Sequence, residues 1–154
     1  MYPRETPEPE ARTHDACALC AVSVDLALDF LADGLALGRW ALGSWNTEAA
    51  GEGLFRGRSL FDDRPCYVML VADRARGRVD YHVGAAPECL VPRIRALAVP
   101  APATSAGTDS CMVTLSARRD GTMDDARWLQ LVRCHDTEIL LIQALLARRT
   151  FPPA

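Results

Sequence analysis

Apolar positions recur along residues 123–149 at the spacing of one helix face. With Trp128 at zero and about 100° per residue, Val132, His135, Ile139, Ile142 and Leu146 fall within roughly 40° of it. Leu131 flanks this stripe, while Arg133, Thr137 and Arg148 point mainly the other way. The pattern predicts one long helix with a broad apolar side. Upstream the periods are different. The run ACALCAVSV at 16–24 reads as a strand; Asp25 can then cap a short helix carrying Leu26, Phe30 and Leu31 until Gly34. A second short helix is expected from Leu35 to about Trp40.

From 44 to 119 the spacing is strand-like. Residues 43–48 form a weak strand candidate turned by 49–53, and 54–61 forms the next, with Asp62-Asp63-Arg64-Pro65 as a hairpin connection. CYVMLVAD at 66–73 is the strongest strand. RVDYHVG at 78–84 alternates, with Val79, Tyr81 and Val83 on one face and Asp80 and His82 on the other. Residues 93–99 continue the meander and a Pro/Ala/Ser/Gly loop runs to about Thr108. In 110–118, Cys111, Val113, Leu115 and Ala117 oppose Met112, Thr114, Ser116 and Arg118. Asp120-Gly121 then turns the chain into the last helix, where Asp124 and Asp125 suit its N-terminus. A strand, two short helices, about six more strands and a long helix make an α+β layer arrangement. The proposed division is a polar, Pro- and Glu-rich disordered tail (1–14), one domain (15–149) and a short C-terminal tail (150–154).

With that order in view, DFLADGLALGRWALGS, GRVDYHV and CMVTLSARRDGTMDDARWLQLVRCHDTEILLIQALLARR resemble the START-like superfamily, also called SRPBCC, over residues 16–149. That superfamily includes polyketide cyclases and dehydrases, lipid-transfer domains and plant hormone-binding allergens. The resemblance implies the helix-grip fold: a seven-stranded curved antiparallel sheet, two short helices after the first strand, and a long C-terminal helix over a cavity that takes apolar or aromatic small molecules. Its motifs are a pattern of elements rather than a catalytic signature, so fold transfers better than activity.

Composition narrows the functions. The chain is long enough to bury a core in one domain, and its formal net charge of −3 gives no global attraction to nucleic acid. All 17 basic residues are Arg, a bias that suits a GC-rich, bacterial coding sequence and excludes a lysine Schiff base or a P-loop lysine. The opening residues, with Pro3, Pro7, Pro9 and three Glu, do not read as a signal peptide, so a cytoplasmic protein with reduced thiols is expected. No apolar run approaches the roughly 20 residues that span a bilayer, so no stable membrane anchor is expected. The single Cys17-x-x-Cys20 lacks two further zinc ligands at suitable spacing, and there is no HExxH, so neither metal nor cofactor is expected. Gly51-x-Gly53-x-x-x-Gly57 misses the dinucleotide fingerprint by one residue, and no GxSxG elbow is present.

The candidate ligand-binding residues are Trp40, Trp45, Tyr67, Tyr81, Trp128, Val132, His135 and Ile139. Aromatics offer contact area, and Trp and Tyr keep a donor for orientation; such residues more often serve as core or rim packing, so two or three of the five aromatics are expected to line a pocket. His135 is the candidate catalytic residue, because an imidazole on an apolar stripe could donate to a ligand or move a proton. The alternative is a buried histidine satisfied by a neighbouring polar group. Asp80 could orient an imidazole if its face looked inward; alternation favours Val79, Tyr81 and Val83 there and leaves Asp80 and His82 in water. Arg39, Arg56, Arg58 and Arg93 could clamp a carboxylate at the mouth. The sequence therefore supports binding of a hydrophobic small molecule, lipid or polyketide-like. Its alternatives are a cyclase or dehydratase using His135 with Tyr81 or Asp80, and a non-catalytic interaction module with a filled core. A free sheet edge offers a place for two copies to pair as a homodimer.

Overall fold

The computed structural model describes residues 12–102 and 109–150. Its elements run in the order β1 (Thr13–Cys20), α1 (Val24–Leu31), α2 (Gly34–Leu37), β2 (Trp45–Gly51), β3 (Leu54–Arg58), β4 (Pro65–Asp73), β5 (Arg78–Gly84), β6 (Val91–Pro100), β7 (Cys111–Arg118) and α3 (Asp125–Thr150). The strands form one antiparallel sheet in the order β1-β7-β6-β5-β4-β3-β2. The chain thus meanders from β2 to β7, and the first strand closes beside the last.

Alternation sets the two faces of the sheet. Ala16, Leu115, Ala96 and Val79 stand in register across four neighbouring strands, and all are buried on the inner face. The small side chains of Ala16, Ala18, Ala96 and Ala98 let helices seat close to the sheet. Phe30, Leu28 and Leu31 of α1 fill that space from one side. Ile139, Ile142 and Leu146 of α3 fill it from the other, and α3 packs chiefly on β1 and β7. The outer face carries the polar partners: Asp15 accepts from Ser116 Oγ at 2.6 Å, and Arg95 Nε donates to Asp80 at 2.6 Å.

Local signals explain the helix starts. Ser23 Oγ caps α1 through the Leu26 N–H at 3.2 Å, Asp33 caps α2, and Asp124 accepts from the Arg127 N–H at 2.7 Å beside the start of α3. α3 is then tied to the sheet edge. His14 Nε2 lies 2.8 Å from Asp136, and Gln143 Nε2 donates to the Leu19 carbonyl at 2.8 Å.

Several sequence boundaries move. β1 begins at Thr13 and ends at Cys20, so Thr13 and His14 of the expected tail are strand, and 21–23 lead into α1 instead of extending β1. The inward alternation of His14 with Ala117 on β7 draws this segment into the sheet. The second helix is one turn, and Leu42–Ser44 forms a separate 3-10 turn before β2. β3 stops at Arg58 because Ser59 and Leu60 turn away, bonding Arg64 and Leu42 respectively. β2 extends to Gly51. Residues 1–11 of the expected tail, residues 103–108 of the expected loop and residues 151–154 lie outside the described residues.

Candidate functional site

A cavity of about 640 Å³ lies between the sheet, α3 and the chain that follows α2. Its floor is the inner face of three strands: Cys66 and Val68 from β4, Tyr81 and Val83 from β5, and Arg93 and Ile94 from β6. Leu37, Trp40 and Ser44 close one side, and Phe61, Asp62 and Arg64 border it from the connection between β3 and β4. α3 supplies Arg127, Gln130, Leu131, Cys134 and Glu138. The 3-10 turn that brings Ser44 inward requires Gly57 on β3: a Cβ there would come within 2.7 Å of the Ser44 backbone.

The residues of α3 that line the cavity are not its most apolar stripe. Arg127, Leu131, Cys134 and Glu138 follow helical spacing about a quarter turn from the line through Trp128, Ile139 and Leu146, at 100° per residue. The apolar line holds α3 against β1 and β7. The neighbouring stripe, mixed in character, roofs the cavity.

Tyr81 organises the inner end. Its hydroxyl donates to the Leu31 carbonyl at the end of α1 at 2.6 Å, and burial together with the nearby Glu138 raises its pKa. Trp40 packs edge-on against its ring, with centroids 5.7 Å apart and planes at 80°. Trp40 is 2% exposed, and its Nε1 has no hydrogen-bond partner among the described residues. Glu138 is 5% exposed. Burial pushes its carboxyl from 4.5 up to about 8, against the opposing effect of the Leu42 backbone N–H donating to it. Burial also raises the thiols of Cys66 and Cys134, the latter to about 11. Arg93, whose Nε is buried without a partner, and Arg127 bring positive charge elsewhere on the wall. Arg93 lies 3.6 Å from Asp120, and Arg127 donates to Gln130 at 2.8 Å.

The structure brings Trp40 and Tyr81 together in this cavity and places the other candidates elsewhere. Trp45 and Tyr67 border a separate groove of about 500 Å³ with Arg56 and Arg58. Tyr67 alternates with Cys66 and Val68 and so faces away from the cavity. Arg56 is paired with Glu48, and Arg58 lies 3.3 Å from Asp63. Trp128, Val132, His135 and Ile139 lie on the packing side of α3 and do not line the cavity. His135 is 1% exposed, and its Nδ1 has no hydrogen-bond partner among the described residues. Burial, reinforced by His14, lowers its pKa to about 4. Asp80 lies on the outer face, bound by Arg95, so the sheet separates it from Tyr81 and the cavity. Cys17 is exposed while Cys20 is buried, as a three-residue step along a strand requires, and Cys20 is pushed up to about 12.

Glu138, Cys134, Arg127 and Ser44 were not singled out by the sequence pattern. A charged residue beside Ile139 reads as the edge of a solvated face. The available signal is the i, i+4, i+7, i+11 recurrence of Arg127, Leu131, Cys134 and Glu138.

No protein-family model and no curated protein sequence matches the chain. Solved structures do. The aromatase/cyclase Zhui from Streptomyces sp. R1128 superposes with a TM-score of 0.65 at 17% identity, over 91% of this chain and 96% of that one. The shared fold is the helix-grip fold, a seven-stranded antiparallel sheet with a long C-terminal helix. The same fold relates the chain to the di-domain aromatase/cyclase BexL, with a TM-score of 0.63 at 16% identity, over 92% of this chain and 48% of BexL. It also relates it to an Aha1 dimer from Colwellia psychrerythraea, with a TM-score of 0.64 at 13% identity, over 88% of this chain and 96% of that one. Among the described residues, no helix of this helix-grip chain is long and apolar enough to cross a membrane.

Proposed function

We propose that the chain binds an apolar or aromatic small molecule, lipid- or polyketide-like, in the cavity under α3. The cavity itself carries this reading: about 640 Å³ is within the size usual for small-molecule sites, and its walls are largely apolar with a few inward polar groups. The aromatase/cyclase names of two structural neighbours support the same ligand class. Trp40 and Tyr81 would contact the ligand directly. Titration calorimetry with a panel of fused-ring aromatics should give saturable one-to-one binding, and Cys134→Trp, which fills the cavity from α3, should abolish it. Absence of saturable binding across the panel, or binding unaffected by Cys134→Trp, refutes the reading.

One observation favours a second reading, a proton-transferring cyclase or dehydratase. Glu138 places a carboxyl with its pKa near neutrality inside the cavity, where a general acid is most effective. Glu138 would then take the role expected of His135 with Tyr81 or Asp80. Under this reading Glu138→Gln abolishes turnover of a polyketide-like substrate, whereas His135→Ala changes stability more than turnover. Turnover by Glu138→Gln at the wild-type rate removes Glu138 from the chemistry, and absence of turnover by the wild type overturns the enzyme reading.

A further inference from the structure

The cavity wall holds buried donors that the protein leaves without a partner among the described residues: Trp40 Nε1, Ser44 Oγ and Arg93 Nε. Glu138, on the same wall, adds an acidic proton whenever it is neutral. Tyr81, whose ring meets Trp40 edge-on, is not among these donors, because its hydroxyl is committed to the Leu31 carbonyl. The ligand suited to this wall presents acceptors rather than donors.

We propose that Glu138 is a proton-gated hydrogen-bond donor, so that the cavity takes aromatic compounds with a carbonyl acceptor at the inner end while Glu138 is protonated and releases them when it ionises. The proposal rests on the cavity reading above and adds the ligand's chemistry and its coupling to protons. The surroundings of Glu138 explain why a proton stays on it. From β5 it is near Tyr81, and the turn after α2 contributes the Leu42 N–H. α3 itself contributes the Cys134 thiol. None of the cavity's cations pairs with Glu138: Arg93 of β6 lies 3.6 Å from Asp120, with its Nε unpartnered, Arg64 is 3.9 Å from Asp62, and Arg127 binds Gln130. Among the described residues no ion pair joins any Arg or His to Glu138. His14 is held by Asp136 on another face of α3. The raised pKa agrees with this geometry.

When Glu138 loses its proton the chemistry inverts. A neutral carboxyl donates one hydrogen bond, whereas a carboxylate only accepts. A ligand carbonyl then faces lone pairs in a low-dielectric space, an unpaired contact that disfavours the complex. Binding restricted to the protonated form must weaken about tenfold per pH unit once Glu138 is mostly ionised, and must take up a proton where the free protein is ionised.

Two probes with the same fixed charge and ring skeleton separate these effects. Anthraquinone-2-sulfonate has ring carbonyls, anthracene-2-sulfonate has none, and neither titrates in the working range. The dissociation constant of the quinone should be level from pH 6 to 7 and rise about tenfold per unit above Glu138's ionisation, up to pH 9.5. That of the anthracene should stay level throughout. Glu138→Gln, which keeps a donor that cannot ionise, should bind the quinone with a flat pH profile. Trp40→Phe should weaken the quinone several-fold relative to the anthracene at every pH. Calorimetry of the wild type at pH 8.5 in buffers of different ionisation enthalpy should show proton uptake with the quinone and none with the anthracene, a readout that does not depend on any variant folding. A pH-independent quinone affinity, or a pH dependence that survives in Glu138→Gln, overturns the proposal while anthracene binding leaves the cavity reading standing. If neither probe binds, both fall.

Discussion

Two buried ionisable groups on α3, three residues apart, act on stability with opposite sign. His135 ionises at about 4 in the folded protein and 6.5 when free, so the unfolded chain binds more protons between those values. Its contribution to stability is present above pH 6.5 and is lost as the pH falls through 4. Glu138 is the converse: with its carboxyl raised from 4.5 to about 8, the folded protein holds the extra proton, and stability is lost as the pH rises through that interval. Each effect amounts to a few kcal/mol, on the scale of about 1.4 kcal/mol per pH unit. Between pH 4.5 and 6.5 they oppose one another. Denaturant unfolding across pH should therefore show Glu138→Gln gaining stability relative to wild type progressively from pH 4.5 to 8. It should show His135→Gln gaining relative to wild type as the pH drops from 6.5 to 4. Parallel curves for a variant and wild type would mean that the residue's ionisation is not linked to folding. His135 was conspicuous in the sequence because an imidazole interrupts an apolar stripe. Glu138 was not, because its burial is decided by Leu42, Tyr81 and the cavity wall, all distant in sequence.

At the scale of the element, α3 is legible as a helix from its spacing alone, yet that spacing identifies only the side that packs. Hydrophobic periodicity reports what is driven from water. A cavity wall needs a looser mixture of small, polar and apolar groups, which looks like a flank of the same stripe. The two sides should answer differently to truncation. Ile139 is 4% exposed in the core, and Ile139→Ala should cost about 2–5 kcal/mol. Leu131, half-buried and bordering open space, should lose less on the same change and should alter binding of an aromatic probe, which Ile139→Ala leaves largely alone. Chemical denaturation and probe titration of the two variants provide the comparison. The strands were located well wherever alternation was strict, as in Arg78–Gly84 and Cys111–Arg118. They were misplaced at the ends of β1 and β3, where a single inward His14 or a loop hydrogen bond from Leu60 to Leu42 sets the boundary.

Across the whole molecule, rigidity is distributed unevenly. β5, β6 and β7 are paired on both sides and covered by α1 or α3, whereas β2 is an edge strand whose one strand partner is β3, with breaks in register near Trp45 and Gly51; α2 holds its start through Asn46 and Thr47 and leaves Glu48–Gly51 exposed. Hydrogen exchange should be slowest in β6 and β7 and fast in β2 and the 59–64 connection, which borders the cavity. Equal protection in β2 and β7 would contradict that division. β1, though also an edge, is joined to α3 by His14–Asp136 and Gln143–Leu19 and should exchange more slowly than β2. The molecule therefore has a firm side where α3 meets β1 and β7, and a looser side where a ligand could enter.

The separation of α3 into two stripes also has a consequence for how this scaffold can change over generations. Substitutions along 127, 130, 134 and 138 alter the cavity wall with little demand on the contacts that keep α3 seated, whereas Leu131 also packs against Ala117, Met123 and Trp128. Those along 135, 139, 142 and 146 meet the opposite constraint. Under the binding role proposed above, mutational drift can rewrite ligand preference while the architecture persists, and a combinatorial library confined to the first set varies the cavity on a scaffold whose anchoring side is untouched.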